Sequence, residues 1–361
     1  MYVQIEDLKE GDILLEDVFG KTQMPLMAKD TELTSLHIHM LKAFLVGGVE
    51  VAGGASAEKK PKEKELKEKP VKQAVVSSSE PADFFQQYLQ SVENHKKEFQ
   101  KWQAGGSIDI VKVREMIVPL LDQAIGQPEV FLEISNYSDP SDYISHHSIA
   151  TGLISGMIAM QLNCEKGTVV QSALSGVLAD CGMARVNPRI LLKESSLTSA
   201  ERKEVNNHPF FSYKMVKDIN LLKPETKLAI FQHHERLDGS GYAKGVKADQ
   251  LLPISRIVAL ADAFHAMTTD RPYRRRHLLF KVLEMFRQDF FGQFDLEAVK
   301  ALTNVFTKLP SGTVVQLSDG QKATILFVKQ QHPTRPLLQL QKDETIVDLE
   351  KRRDLYIESI L

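Results

Sequence analysis

Residues 53–81 read GGASAEKKPKEKELKEKPVKQAVVSSSEP, a run of Lys, Glu, Pro and Ser with almost no large apolar side chain. Such a segment buries too little surface to offset the entropy of ordering it. It therefore divides the chain and forbids a single continuous core. We read it as a flexible tether of residues 53–82, separating a small module (1–52) from everything that follows. A chain of 361 residues is also long for one core, and two or three domains are expected.

In the first module, Val3–Ile5 and Asp12–Leu15 suit short strands around Gly11, and Thr34–Leu45 suits a helix opened by a Thr or Ser cap. His37 and His39 are two residues apart and would point to different faces of that helix, which makes them poor metal partners. The module is expected to be a compact α+β unit. Its sequence names no ligand.

Beyond the tether, apolar residues recur at three- and four-residue steps. Helices are expected over Phe84–Trp102, Ile108–Ile125, Asp142–Leu162, Lys166–Leu178, Thr198–Asp218, Pro224–His234, Ile254–Thr269, Leu278–Phe291 and Leu296–Lys308. Thr198-Ser199-Ala200-Glu201 has the pattern of a capping box, and Pro224 suits a first helical position. The period changes after Gly312. Strands are expected over Thr313–Leu317, Lys322–Lys329 and Pro336–Gln341, with a hairpin turn at Asp319-Gly320. The fold expected is mainly α: a helical domain (83–308) followed by a β appendix (309–361).

Charge is balanced, 45 Lys and Arg against 47 Asp and Glu, which argues against a DNA-binding protein. No apolar run reaches the ~18–20 residues of a membrane span. The start lacks the basic-then-apolar pattern of a secretion signal, so a cytoplasmic location is expected. Only Cys164 and Cys181 occur, too few and too far apart for a disulfide framework or a thiolate zinc site.

Chemistry concentrates between residues 146 and 274. There stand His146-His147, Asp180, His208-Pro209, His233-His234-Glu235, the turn Asp238-Gly239-Ser240-Gly241-Tyr242, and Asp262 inside an apolar helix. Imidazoles with carboxylates suit iron, manganese or zinc, and a shared carboxylate can hold two ions close together. A carboxylate at an apolar position such as 262 requires a cation or a hydrogen-bonded network.

The ordered series His147-Ser148, Pro188-Arg189-Ile190-Leu191 with Lys193, His208-Pro209, His233-His234-Glu235 with Asp238–Tyr242, Arg256-Ile257 leading to Asp262, and Arg271-Pro272-Tyr273-Arg274 resembles the HD-GYP domain. This is a branch of the HD metal-dependent phosphohydrolases that hydrolyses the bacterial messenger cyclic di-GMP. The resemblance covers roughly residues 125–308. It implies a helical bundle holding divalent iron or manganese, at most two ions in this chain, with a bridging hydroxide attacking phosphorus in line. By position it implies His147, Asp180, His208, His233, His234 and Asp262 as ligands, with Asp180 the bridge and the residue on which catalysis depends. Arg271 and Arg274 would hold substrate phosphate, and Gly241 and Tyr242 would line the nucleotide site. Cyclic di-GMP or a related nucleotide is the implied ligand, with a partner protein reached through the terminal modules.

This chain departs from that pattern at the chemistry. The His of the His-Asp dyad is Ala179, and the usual phosphate-binding Lys is Met183. The Asp expected three residues after the last ligand is His265, a candidate compensating imidazole. The Pro of the GYP signature is Ala243, and Tyr143 replaces a Glu that accompanies a third metal. Losing a metal ligand and a phosphate-binding cation together implies an impaired or repurposed site that holds fewer metals or none. Three readings follow: a non-catalytic receptor or scaffold, an active cyclic-di-GMP phosphodiesterase, and a mononuclear hydrolase of another phosphoester.

Overall fold

The chain divides into two units, Met1–Val75 and Val76–Leu361. The computed structural model describes residues 2–19, 25–27, 29–34, 37–38, 41, 48–52, 81–126, 130, 134, 142–191, 193, 195–270 and 276–361. The tether read at 53–82 lies outside them except for its last two residues, which open a helix.

The first unit contains β1 (Tyr2–Gln4), β2 (Ile13–Leu14), β3 (Val18–Phe19), β4 (Pro25–Met27) and β5 (Gly48–Ala52). Strand β5 is central, antiparallel to β1 on one side and β2 on the other. Its alternation turns Val49 and Val51 inward onto Leu14, Leu33 and Leu41. This strand was not expected, because Gly47-Gly48 reads as a breaker. Of the helix expected at 34–45, residues 37, 38 and 41 are helical; others, including His39, lie outside the described residues. The His37 ring meets the Glu32 carbonyl, a local role.

The second unit is helical. Its helices are α1 (Pro81–Gln103), α2 (Ile110–Gly126), α3 (Tyr143–Gln161), α4 (Lys166–Leu178), α5 (Pro188–Leu191), α6 (Ser199–Val205), α7 (His208–Val216), α8 (Pro224–Gln232), α9 (Pro253–Thr268), α10 (Leu279–Gln288) and α11 (Leu296–Thr307). Helix α1 shows why the sequence packs so: Phe84, Tyr88, Val92, His95, Phe99 and Trp102 fall on one stripe and are all buried. Helix α3 is buried from Ser145 to Ala159 on every side and forms the axis of the bundle, against α1, α2, α4, α9 and α11. Each fully buried Leu or Ile along it, such as Leu153, contributes roughly 1.5–3 kcal/mol.

The single helix expected over Thr198–Asp218 is two. The capping box of Thr198 and Glu201 starts α6 as read, but the chain turns at Asn206-Asn207 and restarts at His208. Pro209 lacks an N–H and disfavours helical geometry in the residue before it, so it suits the opening of a new helix rather than the middle of one.

The C-terminal sheet comprises β6 (Val314–Leu317), β7 (Lys322–Phe327), β8 (Leu337–Leu340), β9 (Ile346–Asp348) and β10 (Ile357–Ile360), all antiparallel in the order β10-β6-β7-β8-β9. Gly320, at φ +84, makes the expected β6–β7 turn. Strands β9 and β10 are too short for alternation to reveal them. The sheet is seated on α10: Phe280 enters its core beside Leu317 and Ile325, and the buried Arg335 guanidinium grips Glu284. Among the described residues no helix is long and apolar enough to cross a membrane.

Candidate metal centre

Chain ends and breaks place the polar groups. His147 lies in the first turns of α3; Asp180 follows the end of α4; His208 opens α7; His233 and His234 follow α8; Asp262 and His265 sit one turn apart on α9. The segment carrying Asp180 is pinned to α7 by one hydroxyl. Ser212 Oγ donates to the Ala179 carbonyl at 2.6 Å and accepts from Gly182 N–H at 2.8 Å. Gly182 permits this approach, since a Cβ there would stand 2.2 Å from the His208 carbonyl oxygen.

Two sets of donors result. Asp180, His208, His233 and His234 form one; His147, Asp180 and Asp262 form the other, and within each set the ligand atoms lie within 4.8 Å of one another. The carboxylate of Asp180 is common to both. Its Oδ1 stands 3.0 Å from His208 Nε2 and 3.5 Å from His233 Nε2, yet it is buried without a hydrogen-bonded partner. On the other side, His147 Nε2 is 2.8 Å from Asp262 Oδ1 and 3.6 Å from Asp180 Oδ2. His234 Nδ1 is 3.4 Å from Asp262 Oδ2.

The imidazole tautomers test whether this set fits a metal. His208 Nδ1 donates to the Val205 carbonyl at 2.7 Å, and His233 Nδ1 donates to the Ile230 carbonyl at 2.8 Å. A carbonyl only accepts, so each ring carries a proton on Nδ1, and in its neutral form each presents a bare Nε2 lone pair. Those two nitrogens face each other at 3.1 Å beside the orphaned Asp180 oxygen. Lone pairs and a carboxylate converging without a proton between them are the arrangement that a cation satisfies. The residues fit a divalent metal.

Without an ion the same groups can answer one another by protonation. Burial alone would raise the Asp180 carboxyl, but His208, His233 and His147, when they carry positive charge, outweigh it and hold the group well below the usual range. Asp262 behaves likewise, its burial overcome by His234 and His147. Burial, then repulsion from His233, keeps His234 well below the ordinary imidazole value, so it is neutral and ligand-ready.

The positions at which the sequence departs from the resembled pattern lie around the donors. Ala179 is 2 % exposed and packs with Ala229, Ile254 and Val258, an apolar nest at the position where the resemblance leads one to expect an imidazole. Met183 lies against the main core. His265 is in neither donor set: its Nδ1 is 2.9 Å from His147 Nδ1, and its Nε2 is 3.1 Å from Thr269 Oγ1. Tyr143 stacks on the His147 ring at 5.2 Å.

The Gly239–Gly245 loop is fixed by a residue whose part the sequence did not disclose. The buried Glu235 carboxylate accepts from the N–H groups of Lys244, Gly245 and Val246 at 2.7, 3.2 and 3.1 Å. Gly241 passes so close that a Cβ would be 2.5 Å from the His234 carbonyl oxygen. Tyr242 then lies parallel to His234, ring centres 4.5 Å apart. Ala243 adopts φ +72, which a proline ring cannot reach. Arg271 and Arg274 lie outside the described residues. The roles of Ser212, Glu235 and Thr269 carried no signal of spacing, since each acts through a neighbour brought close only by the fold.

The family model for the HD domain matches residues 135–289. A cyclic di-GMP phosphodiesterase of Pseudomonas aeruginosa, PA4108, is 27% identical over 230 residues, which cover 63% of this chain and 55% of that protein. A cyclic di-GMP phosphodiesterase of Thermotoga maritima is 31% identical over 190 residues, half of each chain. The 3'3'-cGAMP-specific phosphodiesterase 3 of Vibrio cholerae is 30% identical over 170 residues, 47% of this chain and 37% of that one. The chain thus spans about half the length of the curated relatives it matches. Among solved structures, Bd1817, an HDG"Y"P protein from Bdellovibrio bacteriovorus, shares the fold at a TM-score of 0.52 and 12% identity, covering 84% of this chain and 98% of that one.

Proposed function

Because its helical unit belongs to the HD domain family, we propose that this protein binds cyclic di-GMP or a related cyclic dinucleotide at a metal-holding site whose hydrolytic power is impaired. The observation that carries the reading is Ala179, a methyl group sealed among Ala229, Ile254 and Val258 beside the shared carboxylate of Asp180.

Asp180, His208, His233 and His234 would hold one divalent ion, iron or manganese, with Asp180 reaching toward a second held by His147 and Asp262. When bound, such an ion supplies positive charge that polarises a phosphoryl oxygen. The chain's own residues then decide how far chemistry proceeds. The His147 set has three donors and lacks a fourth at 179, which weakens it by at least the 10–100-fold that loss of an outer-shell partner costs. Met183 offers no cation to a phosphate accumulating charge. Tyr242, over His234, presents an aromatic edge to a base, and Arg271 and Arg274 are the proposed phosphate clamps. The terminal sheets are the proposed surfaces for a partner protein.

Retention of both donor sets supports the second reading, an active phosphodiesterase, dinuclear or mononuclear, that hydrolyses cyclic di-GMP or another phosphoester. One pair of assays separates the two. Protein loaded with Mn²⁺ or Fe²⁺ should bind cyclic di-GMP while linearising it no faster than the Asp180→Ala variant. Metal-dependent linearisation lost on Asp180→Ala would establish the active enzyme instead.

A further inference from the structure

We infer that His265 is a positioning residue for His147: it accepts the proton of His147 Nδ1 and thereby presents His147 Nε2 as the imidazole donor of the Asp180–Asp262 metal set. The inference rests on the metal-holding reading above and names the residue that lets the weakened set still take an ion.

His147 and His265 meet nitrogen to nitrogen, Nδ1 to Nδ1, at 2.9 Å, with both rings buried. At this distance a proton on either Nδ1 makes a hydrogen bond to the other. The outer nitrogens are engaged as well: His147 Nε2 with Asp262 Oδ1 at 2.8 Å, and His265 Nε2 with Thr269 Oγ1 at 3.1 Å. Two neutral arrangements satisfy the chain. In the first, His147 carries its proton on Nε2 and gives it to Asp262, and His265 Nδ1–H donates to His147 Nδ1. In the second, His147 carries its proton on Nδ1 and donates to His265, whose own proton sits on Nε2 and goes to the hydroxyl of Thr269. Each ring has one proton in both, so the two differ by tautomer alone.

Only the second leaves His147 Nε2 bare toward Asp180 and Asp262. A metal entering this set therefore selects it, and His265 together with Thr269 makes that selection possible without an unpaired buried nitrogen. A metal-ligating imidazole requires such an acceptor for its other N–H. A leucine at 265 would leave the Nδ1–H of His147 buried and unanswered, since Tyr143 covers the His147 ring by stacking. Asparagine keeps an acceptor oxygen in reach.

The test is a titration of the metal-stripped full chain with Mn²⁺ by calorimetry, paired with ¹⁵N imidazole spectra of Zn²⁺-loaded protein. Wild type should show a tighter and a weaker Mn²⁺ site, and His147 should carry its proton on Nδ1 when loaded. His265→Leu should weaken the second site 10–100-fold and leave the first unchanged. His265→Asn should keep most of the second site, and Thr269→Val should weaken it in the same direction as leucine. The wild-type spectra decide the matter even if the leucine variant does not fold. A second site unaltered in His265→Leu, a loaded His147 with Nδ1 unprotonated, or a tight site with no weaker one would each overturn the inference and leave the metal-holding reading intact. A wild type that takes no Mn²⁺ would overturn both.

Discussion

The Nε2 atoms of His208 and His233 face one another at 3.1 Å, while the Nδ1 of each donates to the carbonyl three residues before it. Backbone geometry thus fixes both tautomers before any ligand arrives, and the metal-binding face is built by two helix boundaries rather than by a local motif. Replacing either ring by Ala should abolish tight Mn²⁺ binding. His208→Gln should lose it too, because a carboxamide cannot offer a nitrogen lone pair at that place. Calorimetric titration of each variant checks this; tight binding persisting in His208→Ala would place the ion elsewhere.

Ala179 and Met183 are the substitutions that set the proposed impairment. Restoring Ala179→His and Met183→Lys together should raise Mn²⁺-dependent linearisation of cyclic di-GMP above wild type. The nest around Ala179 is filled, so Ala179→His should also lower stability by roughly 1–3 kcal/mol through overpacking. Chemical unfolding and a product assay read the two effects separately. A double variant that folds without gaining turnover would move the cause of impairment to other positions.

The loop over the site is held at Ala243 in a left-handed conformation, φ +72. This costs an L-residue about 1–2 kcal/mol, part of which glycine returns as unfolded-state entropy. Ala243→Gly should therefore stabilise the protein slightly, by up to about 1 kcal/mol, and Ala243→Pro should destabilise the loop and displace Tyr242 from His234. Thermal unfolding of the two variants should shift in opposite directions; equal behaviour would contradict the backbone assignment.

His95, buried beneath Trp102 and bonded to Ser145, gives the fold a pH dependence. Burial pushes its imidazole down to about 4, partly opposed by the carboxylates of Asp180 and Glu98. The unfolded chain takes up this proton near pH 6.5, the folded one only near 4, so the unfolded state binds more protons in between. Stability should fall as pH drops through that window, by about 3 kcal/mol once pH is below it. The depressed carboxyls of Asp180 and Asp262 contribute stability that is present above their unfolded values and lost only further down, from about pH 4. Urea unfolding at pH 7 and pH 4.5 should show a smaller loss in His95→Leu than in wild type, the remainder coming from His234, which burial and His233 lower in the same direction.

The β appendix is tied to the helices by Arg335, which grips Glu284 on α10 and gives a further N–H to the Leu355 carbonyl at 2.6 Å. Glu284→Ala leaves a buried guanidinium without its carboxylate, a loss of about 3 kcal/mol in such settings. Limited proteolysis should then cut between residues 308 and 314 faster than in wild type. Unchanged cleavage would mean that the apolar seat of Phe280 suffices.

Much of the helical architecture was legible because buried stripes such as Phe84–Trp102 repeat at helical spacing, and because Thr198–Glu201 and Pro224 mark starts. The break at Asn206-Asn207 was hidden by apolar residues that continue on either side of it. Strands β9 and β10, of three and four residues, showed no period of their own. Within the site, residue type and order pointed to His147, Asp180, His208, His233, His234 and Asp262. Their division into two sets around Asp180 was not legible, nor were the supporting parts of Ser212, Glu235 and Thr269, because these depend on distances that only the folded chain defines.

The most direct test is the metal content of protein purified anaerobically and dialysed without chelator, measured by elemental analysis beside His208→Ala. The account predicts about one iron or manganese per chain in wild type, held by the four-donor set, and close to none in the variant. A wild type without metal would contradict the centre itself. Two ions held equally firmly would mean that the gap at Ala179 is compensated and that the proposed impairment is wrong.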